Sequence, residues 1–232
     1  YRLGLIGRNL KRLDHLIGTF SNDAIKRTSI IHADLAHPEQ LVGVAEKCDR
    51  PVDLLVNCAG QSVTGKTEDI PLSEYTRSWN VNFLSPVFLI QQVLPQMKAR
   101  KTGMIVNVSS GVALRALPYV SPYCSAKAAL NSFTDSLRIE VVDFGIHVLL
   151  FMPGPVASNF HHNTVHHGAG PISSPAFHGK EPHVIGQKLL RAIHQHRKRV
   201  TLGSKANIAL HLQYWSPSLT DQLVKTFYSK NL

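Results

Sequence analysis

Residues 105–144 read IVNVSSGVALRALPYVSPYCSAKAALNSFTDSLRIEVVDF. The apolar, β-branched run from Met104 to Val108 predicts a buried strand, which delivers Ser109 and Ser110 at its carboxyl end. Beyond a turn, Ser121 as N-cap and Pro122 as first helical residue open a helix. Its apolar positions Ala126, Ala129, Leu130, Phe133, Leu137 and Val141 recur at helical spacing until Gly145 stops it. Tyr123 and Lys127 therefore stand side by side on one face. A phenol with a pKa of about 10 is protonated at neutral pH, and a nearby ammonium favours the phenolate. Ser110 is then placed to hold a carbonyl oxygen while Tyr123 exchanges a proton with it. Taken alone, the Tyr-x-x-x-Lys spacing is common and fits an ordinary surface pair better.

The flanking sequence decides between the two. Arg2 to Gly7 and Ser29 to Ala33 read as strands, separated by an amphipathic helix holding Leu10, Leu13, Leu16 and Ile17. Pro38 starts a helix through Cys48, and Val52 to Val56 is a strand running into Asn57. A long helix extends from Ser73 and Glu74 to about Arg100. After the organising stretch come a strand from His147 to Met152, a helix from His183 to Gln195 and a strand from Val200 to Leu202. Short apolar strands alternating with helices predict an α/β chain: a doubly wound, Rossmann-like parallel sheet with helices on both faces, forming one domain over residues 1–232. Ligands gather at the carboxyl ends of such strands, where Arg8, Asp34, Asn57, Ser110 and Pro153 all fall.

Ser110, Tyr123 and Lys127, together with Asn57-Cys58-Ala59-Gly60 upstream and Pro153-Gly154 downstream, resemble the short-chain dehydrogenase/reductase family in order and spacing over nearly the whole chain. The resemblance implies interconversion of a carbonyl and an alcohol by hydride transfer, with Asn82, Ser110, Tyr123 and Lys127 as the catalytic set. Tyr123 would be the general acid/base, Ser110 would polarise the oxygen, and Lys127 would lower the Tyr123 pKa and hold the cofactor ribose. It also implies a cofactor site of Arg8, Asp34, Leu35, Asn57, Ala59, Gly60, Tyr123, Lys127, Pro153, Gly154, Val156 and Ser158. Arg8 lies just beyond the place where NAD-using members carry an acid, so NADP(H) is the expected cofactor. Pro86 lacks an N–H and leaves the Asn82 carbonyl free to hold a water, which suggests a proton relay from Lys127. Residues 159–182 correspond to the substrate loop, and a homodimer or homotetramer is expected.

One part of the family pattern has no counterpart. A strand, a Gly-rich pyrophosphate turn and a helix, about 30 residues forming a βα unit, would precede Tyr1. The reading is therefore of a fragment that binds dinucleotide poorly as it stands. The alternative is a catalytically silent interaction protein on the same fold.

Composition narrows the rest. With 232 residues, 44% hydrophobic and 17% charged, disorder and fibrous folds are excluded. Cys48, Cys58 and Cys124 show no disulfide or metal spacing, which favours a reducing, cytoplasmic compartment. From Lys180 onward nine Lys or Arg face two acids, so +7 of the net +10 lies in the last 53 residues. This asymmetry, with apolar residues interleaved in the tail 205–232, fits a subunit contact or a membrane surface. Nucleic acid is not expected, since aromatic residues total only 7%. Gly60 to Thr67 matches the P-loop pattern, but Pro71 would break the helix that a P-loop requires, so a nucleotide triphosphatase is rejected. His161, His162, His166 and His167 have no Cys or carboxylate companions and are read as a polar loop rather than a metal site.

Overall fold

The computed structural model describes residues 1–168, 179–202, 212 and 215–229, without the side chains of 227–229. The elements are β1 (Leu3–Gly7), α1 (Leu10–Gly18), α2 (Asn22–Ile25), β2 (Thr28–His32), β3 (Leu54–Asn57), β4 (Val63–Thr64), α3 (Leu72–Trp79), α4 (Ser85–Arg100), β5 (Gly103–Val108), α5 (Ser121–Glu140), β6 (Ile146–Met152), β7 (Val165–His166), α6 (Pro182–His194), β8 (Arg199–Thr201) and α7 (Pro217–Ser229). Strands β3, β5, β6 and β8 form a parallel sheet in that spatial order, with Asn57 opposite Asn107 and Val108 opposite Phe151. β1 and β2 form a separate parallel pair, and β4 pairs with β7.

Alternation along the strands builds the two faces. Ile105, Ile146 and Val148 pack with Ile90, Val93 and Met97 of α4 and Leu137 of α5. Their neighbours Met104, Val106, Leu149 and Phe151 pack against Ile185 and Ala192 of α6. The period of two thus sends successive residues of each strand to opposite helical layers. A third cluster of Ile31, Ala33, Leu41, Val44 and Leu89 ties β2 to α4, with Leu55 of β3 and Ile6 of β1 at its edge.

Three sequence expectations need correction. The helix expected from Pro38 to Cys48 is a 3-10 turn, Pro38–Leu41, because Val42 is extended and Gly43 sits at φ +72°, in left-handed backbone that no helix continues through. The single helix expected from 73 to 100 is two α-helices joined by a π-helical segment, Asn80–Leu84, that accommodates the missing N–H of Pro86. Ser121 is the first residue of α5 rather than its cap, since its hydroxyl pairs with the Tyr75 hydroxyl at 2.7 Å.

The Gly60–Thr67 stretch runs into β4 and a turn rather than a helix, as the P-loop argument requires. In the tail, Trp215 just before α7 and Leu219 and Leu223 on it are exposed. Ile208, Leu210 and Tyr214 lie outside the described residues. No helix among the described residues is long and apolar enough to cross a membrane.

Candidate active site

β5 ends at Val108, and the backbone N–H of the next residue, Ser109, donates to the Phe151 carbonyl at 2.8 Å, which aligns the ends of β5 and β6. Ser110 follows in extended backbone and caps a short 3-10 turn, accepting from the Val112 N–H at 3.4 Å. The first two turns of α5 then bring Tyr123 and Lys127 beneath it. The Ser110 hydroxyl is near enough to the Tyr123 phenol to favour its phenolate, and the Lys127 ammonium lies 5.9 Å from the centre of the Tyr123 ring. The three groups converge as the sequence suggests.

Their electrostatics differ from the sequence reading in one respect. Burial pushes the Tyr123 phenol up to about 12, against the pull of the Ser110 hydroxyl, which favours the phenolate. The lowering expected from Lys127 is not what the geometry gives: burial raises the phenol, and the opposing pull comes from Ser110 rather than from Lys127. Lys127 itself is 3% exposed, and burial drops its pKa to about 8, opposed by the Cys58 thiol. Its ammonium donates to the Val108 carbonyl at 2.9 Å. Burial likewise raises the Cys58 thiol, while Lys127 pulls it back.

The Asn82 side chain is wholly engaged. Its amide donates to the carbonyls of Gln61 at 2.8 Å and Ser78 at 2.9 Å, and its oxygen accepts from the Gln61 N–H at 3.2 Å. It therefore clamps the turn that follows Gly60. A Cβ on Gly60 would meet that Asn82 oxygen at 3.1 Å, Phe160 Cε2 at 3.5 Å and Lys127 Nζ at 4.0 Å, so only glycine leaves this approach open.

Five of the expected cofactor residues line one cleft of about 280 Å³: Arg8, Asp34, Leu35, Ala59 and Gly60, joined by Asn9 and Arg12. Arg8 pairs with Asp34 at 3.3 Å. Burial would raise the Asp34 carboxyl, but the Ala36 N–H and Arg8 more than offset it and hold the group below its usual range. Two guanidiniums, an amide side chain and a glycine-floored turn suit a phosphorylated adenosine.

Asn57 lies beside that cleft rather than in its lining. Its side chain is buried, and its amide donates to the Asn107 oxygen at 2.9 Å; Asn107 in turn donates to Thr134 Oγ1 at 2.9 Å, and Thr134 to the Leu130 carbonyl at 2.6 Å. This ladder stitches β3 and β5 to α5 beneath the catalytic groups. Sequence reasoning passed over Asn107 and Thr134, although a polar residue inside the apolar run IVNV was a signal.

Pro153, Gly154, Val156 and Ser158 follow β6. Gly154 packs so closely on the Leu202 carbonyl that a Cβ would lie 3.0 Å from it, and Val156 bridges to Lys180. Of the expected substrate loop, 169–178 lie outside the described residues. Within the described part, the Phe160 ring stacks on Tyr123 with centroids 5.5 Å apart, a contact without a sequence signal. His166 Nδ1 lies 2.5 Å from Thr64 Oγ1, and among the described residues no three His, Cys, Asp or Glu groups are placed to hold a metal.

The family model for short chain dehydrogenases matches residues 1–168. Dehydrogenase/reductase SDR family member 7B of Danio rerio is 30% identical over 230 residues, covering 94% of this chain and 74% of that protein. Human retinol dehydrogenase 8 is 30% identical over 166 residues, covering 71% and 52%. Among solved structures, a short-chain dehydrogenase from Streptomyces avermitilis superposes with a TM-score of 0.79 at 26% identity, covering 95% of this chain and 86% of that one. ElxO with NADP bound gives a TM-score of 0.60 at 27% identity, covering 67% and 64%.

Proposed function

The chain belongs to the short chain dehydrogenase family of oxidoreductases, and from that premise we propose that it reduces a small-molecule carbonyl to an alcohol, or runs the reverse, with NADP(H). The observation that carries the reading is the meeting of Ser110, Tyr123 and Lys127 at the strand ends, beside the cleft floored by Gly60.

A bound reduced nicotinamide would supply the hydride. The Ser110 hydroxyl donates to the substrate oxygen and fixes it next to Tyr123. With its pKa near 12, Tyr123 holds its proton throughout the neutral range and is set to deliver it to the oxygen as negative charge develops there. The Lys127 ammonium then stands close to the phenolate that remains. A protonated Tyr123 favours the reductive direction, as a preference for the phosphorylated cofactor also would. Asn82 acts through position, holding the Gly60 turn, and its carbonyl, which Pro86 cannot reach with an N–H, is the group we assign to a water-borne relay from Lys127.

The preference for NADP(H) rests on Arg8 and Arg12. Asp34 already neutralises part of the Arg8 charge, so the second guanidinium in the same cleft supplies much of the attraction for a 2′-phosphate. The exposed Trp215, before α7, and Leu219 and Leu223 on it supply a contact surface for a subunit or a membrane.

The test is loss of reduced-nicotinamide absorbance with a panel of ketones, using protein expressed from its complete reading frame. Tyr123→Phe should lower turnover by about 100-fold or more while leaving NADPH affinity unchanged. Equal turnover by the variant would refute the assignment.

A further inference from the structure

We propose that Phe160 is a gate residue: its ring fills the space between the Gly60 turn, Lys127 and Tyr123, and a dinucleotide can seat only by displacing it. The inference rests on the reading that these three residues hold the cofactor.

The geometry is direct. The Phe160 ring tilts 54° onto Tyr123 with centroids 5.5 Å apart, and its Cε2 comes within 3.5 Å of a Cβ built on Gly60, which would itself lie 4.0 Å from Lys127 Nζ. One ring edge therefore stands among the groups assigned to the nicotinamide ribose. His161 packs edge-on behind it, with centroids 5.6 Å apart.

The segment carrying the ring is built to move as a unit. It is pinned before by Ala157, whose N–H donates to the Lys180 carbonyl at 2.9 Å, and after by Val165 and His167, whose N–H groups donate to the carbonyls of Ser62 at 3.1 Å and Thr64 at 2.8 Å. Between these anchors the polar bonds of 158–164 close on themselves. Asn163 bonds the Asn159 carbonyl through both its backbone and its side chain, at 3.1 Å and 2.7 Å. Phe160 N–H donates to Ser158 Oγ at 3.4 Å, and Thr164 N–H to the His161 carbonyl at 3.2 Å. Among the described residues, the hydrogen bond that joins 158–164 to the rest of the site is the Ser158 N–H to the Val156 carbonyl at 2.9 Å, at the base of the segment, so the turn beyond it can swing outward with that bond kept. What it gives up is the aromatic contact on Tyr123.

The cost of undocking the ring is thus a tax on cofactor affinity. An aromatic pair of this kind is worth a factor of about 3 to 10 in an equilibrium constant, so Phe160→Ala should bind NADPH about 3- to 10-fold more tightly, with Phe160→Leu in between. A second readout needs no cofactor. Uncapping should also bring the Tyr123 titration down from about 12, seen in near-ultraviolet phenolate absorbance as the difference between Phe160→Ala and Phe160→Ala/Tyr123→Phe. Tighter binding together with a lowered Tyr123 titration supports the gate. If the unaltered protein binds NADPH and Phe160→Ala binds it equally or more weakly, the gate is wrong and the proposed function stands. If neither protein, expressed from its complete reading frame, binds any nicotinamide dinucleotide, both readings fall.

Discussion

Lys127→Met should make the protein more stable at neutral pH while removing its activity. Lys127 is 3% exposed, and burial lowers its pKa from 10.5 to about 8. In the unfolded chain the amine binds its proton more tightly than in the folded protein. The charge therefore destabilises the fold fully below pH 8, and the loss is relieved as pH rises from there toward the unfolded value. The shift corresponds to about 3 kcal/mol near pH 7, falling to about 1 kcal/mol near pH 9.5. Methionine keeps most of the packing of the aliphatic stem but forfeits the hydrogen bond to the Val108 carbonyl, about 1 kcal/mol. The variant should then be about 2 kcal/mol more stable than the parent near pH 7 and about equal to it near pH 9.5. Tyr123, held near 12, does not titrate in the folded protein over this interval and is common to both chains. Reversible urea unfolding of the two proteins at both pH values measures the difference. A variant less stable at neutral pH, or a gap that does not change with pH, would refute the reasoning.

Two further substitutions probe other parts of the account. Arg8→Gln should weaken NADPH by about 10-fold and leave NADH unchanged, read by titrating each cofactor; equal effects on both would remove Arg8 from phosphate recognition. Thr134→Val leaves the Asn107 amide without its acceptor beneath the site and should cost about 1–3 kcal/mol, a drop of about 3–10 °C in Tm for a chain of this size, whereas an unchanged Tm would mean that the ladder contributes nothing.

The strands and the shared face of Tyr123 and Lys127 were legible because their signals are local. Apolar runs such as Met104 to Val108 leave one way to bury a strand, and two residues four apart on α5 must share a face. What escaped was decided at a distance. The fate of the Pro38 helix depends on the backbone of Gly43, and the Ser121 cap is lost to a hydroxyl 46 residues away in sequence, on Tyr75. The Tyr123 pKa was misjudged because sequence names the neighbouring ammonium but not the amount of water excluded from the phenol. Phe160 carried no pattern at all, since a ring in an irregular turn finds its partner only when the chain is folded.

The central claim is that Tyr123 gives a proton to the same carbonyl that receives a hydride from a nicotinamide. The most direct measurement is isotope transfer: reduced dinucleotide carrying deuterium at the transferring position of C4 is incubated with a ketone, and the alcohol is weighed by mass spectrometry. The account predicts deuterium on the carbinol carbon with the unaltered protein and almost none with Tyr123→Phe. Alcohol formed without the label, or labelled equally by the variant, would contradict it.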